Sequence, residues 1–418
     1  MADRNGSRGT AATGWGNPPD EPILFTPEDD VPDPVVSIVI PALNEQITVE
    51  LFVAGCHEGL REAGVPGEII IIDSSVDETP QIALDSGARV LRVPLRGLGR
   101  AYRDAVPFAR GEYLILGDAD CTYDFRVLRP FIDALKGGAE FVMGSRFRGT
   151  IDARAMPIHH RYFGTPITTF MMNRLFHTKY SDIHCGMRAL TAKAFDRMDL
   201  QADGWEYASE MLVAASRLEL TTAEVPIHFL RDRDGRESHV KRQGWTTPFR
   251  AGWSTLRVLF TNAADFFLIG VGAPLAIVGT ALLLVLSLGP LTLVPVTLTL
   301  HTAALALAVA LMGWFALGLG IAARMVYDRG GIYCTRWADR LRFTRMVAVS
   351  TALAVAGIAL EVVFLWQYIA DGFSVDPPGA MLSHLALTGL FLVGLGFIMF
   401  TTMLVVQAIA AQFKRRGE

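Results

Sequence analysis

The stretch G-E-Y-L-I-L-G-D-A-D-C-T-Y, Gly111 to Tyr123, decides how this chain is read. Its apolar run from Tyr113 to Leu116 predicts a short buried strand that stops at Gly117 and releases Asp118 and Asp120. In extended chain, residues i and i+2 point to the same side, so both carboxylates leave the strand's carboxyl end together. Open α/β sheets place their ligands at that end, and paired hard oxygen donors suit an Mg²⁺ or Mn²⁺ ion shared with a diphosphate. A solvated acidic loop would satisfy the same short pattern. The surrounding chain separates the two readings.

Working outward, Val35 to Pro41 (V-V-S-I-V-I-P) and Glu68 to Asp73 (E-I-I-I-I-D) predict buried strands, and Arg89 to Val93 a third short one. Between them, Ile47 to Ala63 carries apolar residues at helical spacing, Gln81 to Gly87 follows an N-cap-like turn at 74–79, and Ala101 to Ala109 follows Gly97-Leu98-Gly99-Arg100. Strands alternating with helices predict a mostly parallel, Rossmann-like α/β sheet. Residues 1–34, rich in Gly, Pro, Asp and Glu, are expected to be disordered.

Composition divides the 418-residue chain in two. Charged residues crowd the first 265 positions, whereas 266–323 is a run of 58 residues without Asp, Glu, Lys or Arg. Apolar segments near 267–288, 296–322, 347–369 and 384–409 are each long enough to cross ~30 Å of hydrocarbon, predicting a four-helix transmembrane domain over 267–410. The arginine-rich 324–346 loop and the basic 411–418 tail then face the cytosol, as does the N-terminal domain, while the 370–383 loop has no Lys or Arg. The segment 243–266 mixes Trp245, Phe249, Trp253 and Phe260 with Arg250 and Arg257, the pattern of an interfacial amphipathic helix; a core helix of the soluble domain is the alternative. A net charge of −4 gives no reason to propose nucleic acid as a partner. The four cysteines have no C-x-x-C spacing and the histidines no ligand spacing.

Eight motifs now stand in order: P-A-L-N-E at 41–45, D-S-S-V-D-E-T at 73–79, G-L-G-R-A at 97–101, D-A-D at 118–120, M-G-S-R-F at 143–147, D-I-H-C-G-M-R at 182–188, G-W-E-Y-A-S-E-M at 204–211 and A-E-V-P-I-H-F at 223–229. Together they resemble inverting family 2 glycosyltransferases of the GT-A fold, in the branch typified by dolichol-phosphate mannose synthase. The catalytic domain is assigned to 35–242. Two departures stand out: Ile72-Asp73 replaces the usual pair of acids, and the Arg231 to His239 segment fits the family's R-x-x-G-x-S-K pattern only with a shift.

The resemblance implies a multi-pass enzyme of the cell membrane, with both termini cytosolic. It implies a GDP- or UDP-hexose donor, polyprenyl phosphate as acceptor, mannose or glucose as the sugar, and inversion. Pro41, Ala42, Asn44, Glu45 and Asp73 would border base and ribose, although ordinary strand-end turn chemistry also explains Asn44 and Glu45. Gly97 and Gly99 would let backbone approach the phosphates, with Arg100 beside them. Asp118 is expected near ribose or sugar, Asp120 as the metal ligand, and Arg146 as the catalytic clamp on the acceptor phosphate. Arg161, Arg188, Arg231 and Ser238 would support that clamp, while Asp182 and Glu210 would bind sugar hydroxyls or hold arginines. Since a phosphate monoester has a second pKa of about 6, the acceptor arrives ionised and needs no strong base. A processive polysaccharide synthase is disfavoured because Arg242-Gln243-Gly244-Trp245 is not the Q-x-x-R-W segment of that branch. A lipid-linked sugar flippase or scaffold with a vestigial transferase domain is disfavoured by the intact Asp118, Asp120 and Arg146. Homo-oligomerisation stays open.

Overall fold

The structure is a computed structural model that describes residues 15–233, 247–293, 296–328, 332–373 and 381–417. The chain divides into two compact units, residues 1–260 and 261–418.

The first unit is built on an eight-stranded sheet of order β1-β4-β3-β2-β5-β7-β6-β8. Its strands are β1 (Ile23–Phe25), β2 (Val36–Ala42), β3 (Gly67–Asp73), β4 (Arg89–Arg92), β5 (Tyr113–Leu116), β6 (Phe141–Ile151), β7 (Arg188–Thr191) and β8 (Thr222–Phe229). Strands β4, β3, β2 and β5 are mutually parallel, β6 runs parallel to β8, and β1 and β7 are antiparallel to their neighbours. Ile38, Ile40, Ile69 to Ile72 and Leu114 to Leu116 are fully buried, as expected of a sheet covered on both faces. Register aligns the carboxyl ends of β2 and β3, with Ala42 opposite Asp73, and sets the carboxyl end of β5 beside the amino end of antiparallel β7, with Leu116 opposite Arg188. The loops that leave those ends therefore emerge along one edge.

Helices α1 (Val49–Ala63), α2 (Thr79–Asp85), α3 (Leu98–Ala105), α4 (Arg129–Lys136), α5 (Thr165–Phe176), α6 (Ala192–Met198) and α7 (Tyr207–Arg217) connect the strands. Helix α1 buries Phe52, Val53, Cys56 and Leu60 and ends at Gly64 in the left-handed conformation, which glycine adopts without strain.

The expected disorder of residues 1–34 is corrected over its described part. Ile23-Leu24-Phe25 pairs with Val90 to Arg92 as an edge strand, and the Trp15 ring packs edge-on against Phe25 with centroids 4.6 Å apart. Asp30 pairs with Arg110 at 2.8 Å. A few aromatic and aliphatic contacts plus a strand ladder offset the ordering entropy that composition alone appeared to forbid.

The second unit contains helices of membrane-spanning length and hydropathy at 264–286, 300–326, 343–370 and 381–413. Four spans were expected. Their order is α9 (Ala264–Leu286), α10 (Leu300–Val326), a short α11 (Ile332–Arg340), α12 (Phe343–Ala370) and α13 (Met381–Gly417). The second begins at Leu300 rather than 296, because residues 291–293 and 296–298 pair as an antiparallel hairpin between the first two spans. Small residues let these helices approach closely: a Cβ on Gly279 would lie 2.4 Å from the Ala310 amide, and one on Gly313 would lie 2.1 Å from that of Ala276. Helix α8 (Thr247–Asn262) occupies much of the stretch assigned to an interfacial helix, and Trp253 and Phe260 on it are exposed.

A buried carboxylate ties the first unit together at the end of the sheet opposite the site. Glu68 accepts from the Ser37 hydroxyl at 2.6 Å, from Arg89 at 2.5 Å, and from the Arg110 amide and Nε at 2.7 and 2.8 Å. Burial alone would raise its pKa, but these donors hold it below the usual carboxylate value. Removing the carboxylate strips buried Arg89 of its ion-pair partner, whereas Arg110 is exposed and keeps Asp30. Glu68→Ala is therefore expected to cost about 3 kcal/mol of stability, and Ser37→Ala only about 1 kcal/mol. Thermal or denaturant unfolding of the full chain in nanodiscs checks the order; equal small losses would show the hub to be solvated.

Candidate active site

Three pairs of loops converge on the carboxyl edge of the sheet. The first pair joins 42–48 to 73–79. Asn44 adopts a left-handed φ of 55°, which presents its amide N–H to Ser75 Oγ at 2.7 Å while its Oδ1 accepts the Val76 amide at 3.1 Å. The Glu45 amide donates to Thr79 Oγ1 at 2.9 Å, and its carboxylate accepts from Thr48 Oγ1 at 3.1 Å. Asn44 and Glu45 thus build the loop pair, the turn chemistry that sequence left as one of their two roles. Between the loops lies fully buried Asp73, paired with Arg92 and accepting the Ser75 amide at 3.2 Å through Oδ2. Burial raises its pKa despite Arg92, and among the described residues Oδ1 has no hydrogen-bond partner.

Arg92 is a member that sequence reasoning passed over. Its Nη2 donates to the carbonyls of Trp15 and Gly16, each at 2.9 Å, and the Trp15 indole donates to Gln81 at 2.6 Å. The signal was a buried-strand arginine opposite a strand-end aspartate, legible only once β3 and β4 are paired.

The second pair joins 97–100 to 201–204. A Cβ on Gly97, whose φ is 107°, would lie 2.4 Å from the Asp203 carbonyl oxygen, and one on Gly99 would lie 2.2 Å from that of Ala202. The close approach that these glycines permit here is therefore of the chain's own backbone. Glu210 secures the same loop by accepting the amides of Gln201 and Ala202 at 3.0 and 2.9 Å. Arg100 is half-exposed and pairs with Asp104 at 2.9 Å.

The third pair joins the D-A-D turn to 182–188. Asp120 Oδ1 accepts both the amide and the hydroxyl of Thr122, at 3.0 and 2.6 Å, which fixes its carboxylate in an Asx turn. Gly186 faces Asp118: a Cβ there would sit 2.5 Å from Asp118 Oδ2, so only glycine leaves the carboxylate its position. The Gly186 amide donates to Tyr123 Oη at 2.8 Å.

Arg146, on β6, is buried. Its Nε and Nη2 donate to the two oxygens of Asp182 at 2.7 and 2.9 Å, and its amide adds a third bond at 3.1 Å. Burial alone would weaken its hold on the proton, but the Asp182 hydrogen bonds more than offset that and raise its pKa further, so the cation is permanent. The guanidinium lies 5.2 Å from the centroid of Phe229, which in turn packs on Tyr123. Asp182 thus holds an arginine, one of its two expected roles. Arg188 is buried with its donors on the carbonyls of Cys185, Ala208 and Ile183, pinning the turn that carries Gly186. Arg161 is half-buried against the Tyr162 ring and Arg231 is exposed beyond β8. Ser238 lies outside the described residues.

Two family profiles match this chain: Glycosyl transferase family 2 over residues 37–199, and Glycosyltransferase family 2 C-terminal transmembrane region over 319–410. The chain belongs to glycosyltransferase family 2 and is a glycosyltransferase carrying a membrane domain. Among its relatives, the low-salt glycan biosynthesis hexosyltransferase Agl6 of Haloferax volcanii is 30% identical over 85% of this chain and 85% of its own. The dolichyl-phosphate hexose transferase of the same organism is 30% identical over 40% of this chain and 72% of its own. Among solved structures, glucosyl-3-phosphoglycerate synthase from Mycobacterium tuberculosis aligns at 20% identity with a TM-score of 0.42, covering 54% of this chain and 79% of that one.

The site contains an internal pH reporter. His184 Nε2 meets Thr168 Oγ1 at 2.8 Å, and burial, with the positive Arg146 beside it, pushes the imidazole down to about 4 in spite of Asp182. An imidazole that titrates near 6.5 unfolded and near 4 folded binds more protons in the unfolded chain, so stability is lost as pH falls through that window and is unaffected above it. His184→Gln keeps a hydrogen-bond partner for Thr168 and is expected to flatten the fall in Tm between about pH 6.5 and 4.5. An unchanged acid slope would assign the fall to another group.

Proposed function

We propose that this glycosyltransferase moves one hexose from a GDP- or UDP-sugar to polyprenyl phosphate on the cytosolic leaflet, with inversion at the anomeric carbon. The observation that carries the reading is the union, in one chain, of a carboxylate-lined sheet edge with four helices long and apolar enough to span a bilayer. A soluble acceptor would give the enzyme no use for such an anchor. The dolichyl-phosphate named for one relative supports the same acceptor class. The arginine-rich segment after the second span and the basic end of the last one support a cytosolic side for both by the positive-inside rule, the side of the proposed nucleotide-sugar donor.

In this reading the 42–48 and 73–79 loops receive base and ribose, and Asp73, whose Oδ1 has no partner among the described residues, would accept from a base N–H. Asp118 borders the sugar. Among the described residues no three His, Cys, Asp or Glu side chains gather into a metal cage. Carboxylates on a turn instead fit an ion whose remaining ligands are donor phosphates and water, the habit of Mg²⁺. Asp120 would hold that ion, which when bound offsets the charge developing on the departing nucleoside diphosphate.

The acceptor phosphate, ionised above its second pKa of about 6, needs cations to gather it more than it needs a base. Arg146 supplies a cation whose plane Asp182 fixes, so little reorganisation remains when the nucleophile arrives. One lone pair of a phosphate oxygen forms the new bond to the anomeric carbon while the bond to the diphosphate breaks on the opposite face.

The test incubates the full chain in nanodiscs with polyprenyl phosphate and a panel of nucleotide hexoses, identifies the lipid product by mass spectrometry, and assigns the anomer by NMR. A β-linked product from an α-linked donor is expected. Asp120→Asn and EDTA should each lower turnover by on the order of 100-fold or more with the fold intact, and Arg146→Lys should recover only part of what Arg146→Ala loses. An α-linked product, or full activity in chelator, would overturn the mechanism.

A further inference from the structure

The loops at 42–48 and 73–79 are short of acceptors. Asn44 Oδ1 accepts the Val76 amide at 3.1 Å, Ser75 Oγ accepts the Asn44 amide at 2.7 Å, and Asp77 Oδ1 accepts the amide and hydroxyl of Thr79 at 3.0 and 2.5 Å. The Ser75 carbonyl accepts Arg92 Nη1 and the Asp73 carbonyl accepts the Val93 amide, each at 2.9 Å.

Asp73 itself is divided. Its Oδ2 accepts the Ser75 amide at 3.2 Å and the Arg92 guanidinium, whereas its buried Oδ1 has no partner among the described residues. Arg92 is not at liberty to turn to the other oxygen. Its Nη2 is bound to the carbonyls of Trp15 and Gly16, each at 2.9 Å, and Trp15 is fastened in turn by Gln81 and Phe25. One oxygen of a buried carboxylate is thus committed within the chain, and the other is left for a ligand's donor.

A single acceptor oxygen discriminates between bases by the number of donors they present. Uracil has one ring N–H, at N3, between two carbonyls. Guanine has N1–H and the 2-amino group side by side, a pair that asks for both oxygens of a carboxylate. At Asp73 the second oxygen is already taken, so guanine would bury an amino group without an acceptor. Asn44 adds to the difference: with its oxygen engaged by Val76, its side chain has only N–H donors to offer, which a uracil carbonyl can accept and an amino group cannot.

We infer that the donor is a uridine diphosphate sugar, and that Asp73 Oδ1 sets this choice over guanosine diphosphate, with Arg92 as the positioning residue that keeps the second oxygen occupied. The inference rests on the function proposed above and narrows its donor to one nucleobase.

Isothermal titration of the full chain in nanodiscs, with Mg²⁺ present, tests it through Kd for UDP, GDP, inosine diphosphate and N3-methyl-UDP, and so needs neither acceptor nor turnover. UDP is expected to bind at least ~10-fold more tightly than GDP or N3-methyl-UDP, because each of those strands or loses a buried hydrogen bond. Inosine diphosphate, which is GDP without the 2-amino group, is expected to bind more tightly than GDP. Arg92→Lys, confirmed as folded by its Tm, keeps a cation beside Asp73 but not the fork that also holds the two carbonyls. It is expected to narrow the ratio of the UDP and GDP affinities by about threefold or more, whereas a merely structural loss would weaken both nucleotides alike. An unchanged ratio in the folded variant would overturn the part given to Arg92. GDP bound as tightly as UDP, no penalty for N3-methylation, or inosine diphosphate no tighter than GDP while both purines bind measurably would each overturn the inference and leave hexose transfer itself standing. Failure of all four nucleotides to bind would instead remove the donor site, and the proposed function with it.

Discussion

The buried pair of Arg146 and Asp182 organises the active edge of this protein. Neither partner is tolerable alone in that environment, since removing either would strand a desolvated charge. Their bidentate contact joins β6 to the turn preceding β7, and that turn carries Gly186 against Asp118 and Tyr123. One ion pair therefore couples the cationic part of the site to the position of a carboxylate on another strand. Arg188, holding the same turn through three carbonyls, makes the arrangement stiff. Electrostatic preorganisation of this kind is where a transferase without a strong base must find its rate.

Much of this was legible in the chain itself, and the reasons are local. The strands at 36–42, 67–73 and 113–116 are continuous aliphatic runs, and the predicted bounds agree with the observed ones to within about a residue because a buried parallel strand needs nothing else. The spans were equally plain, since charge inside a bilayer is costly and these long apolar runs carry very little of it. What escaped was nonlocal. Order in residues 15–34 depends on Trp15 meeting Phe25 and on β1 meeting an edge that forms only after the sheet does. Arg92 could not be matched to Asp73, nor Asp182 to Arg146, without the pairing of strands.

The motif glycines also have a structural role within the chain. Gly97 and Gly99 were expected to admit a phosphate, and the close contact they make in the structure is with the Ala202 and Asp203 carbonyls, held in turn by Glu210. A motif can thus mark a tight seam between two loops as well as a ligand contact. Similar economy governs the second unit, where Gly279 and Gly313 bring two spans together by small-residue packing, a geometry that hydropathy alone does not disclose.

The central claim is that the nucleophile is an already ionised phosphate gathered by a fixed cation, so that no protein group need remove a proton. The most direct measurement compares initial rates of the full chain in nanodiscs, at saturating nucleotide sugar, with polyprenyl phosphate and with the unphosphorylated polyprenol of the same length. The account requires transfer to the phosphate and essentially none to the alcohol, whose hydroxyl would need a general base. Comparable rates with the two acceptors would contradict it, because the site would then have to contain a base and phosphate binding by Arg146 would be irrelevant to catalysis.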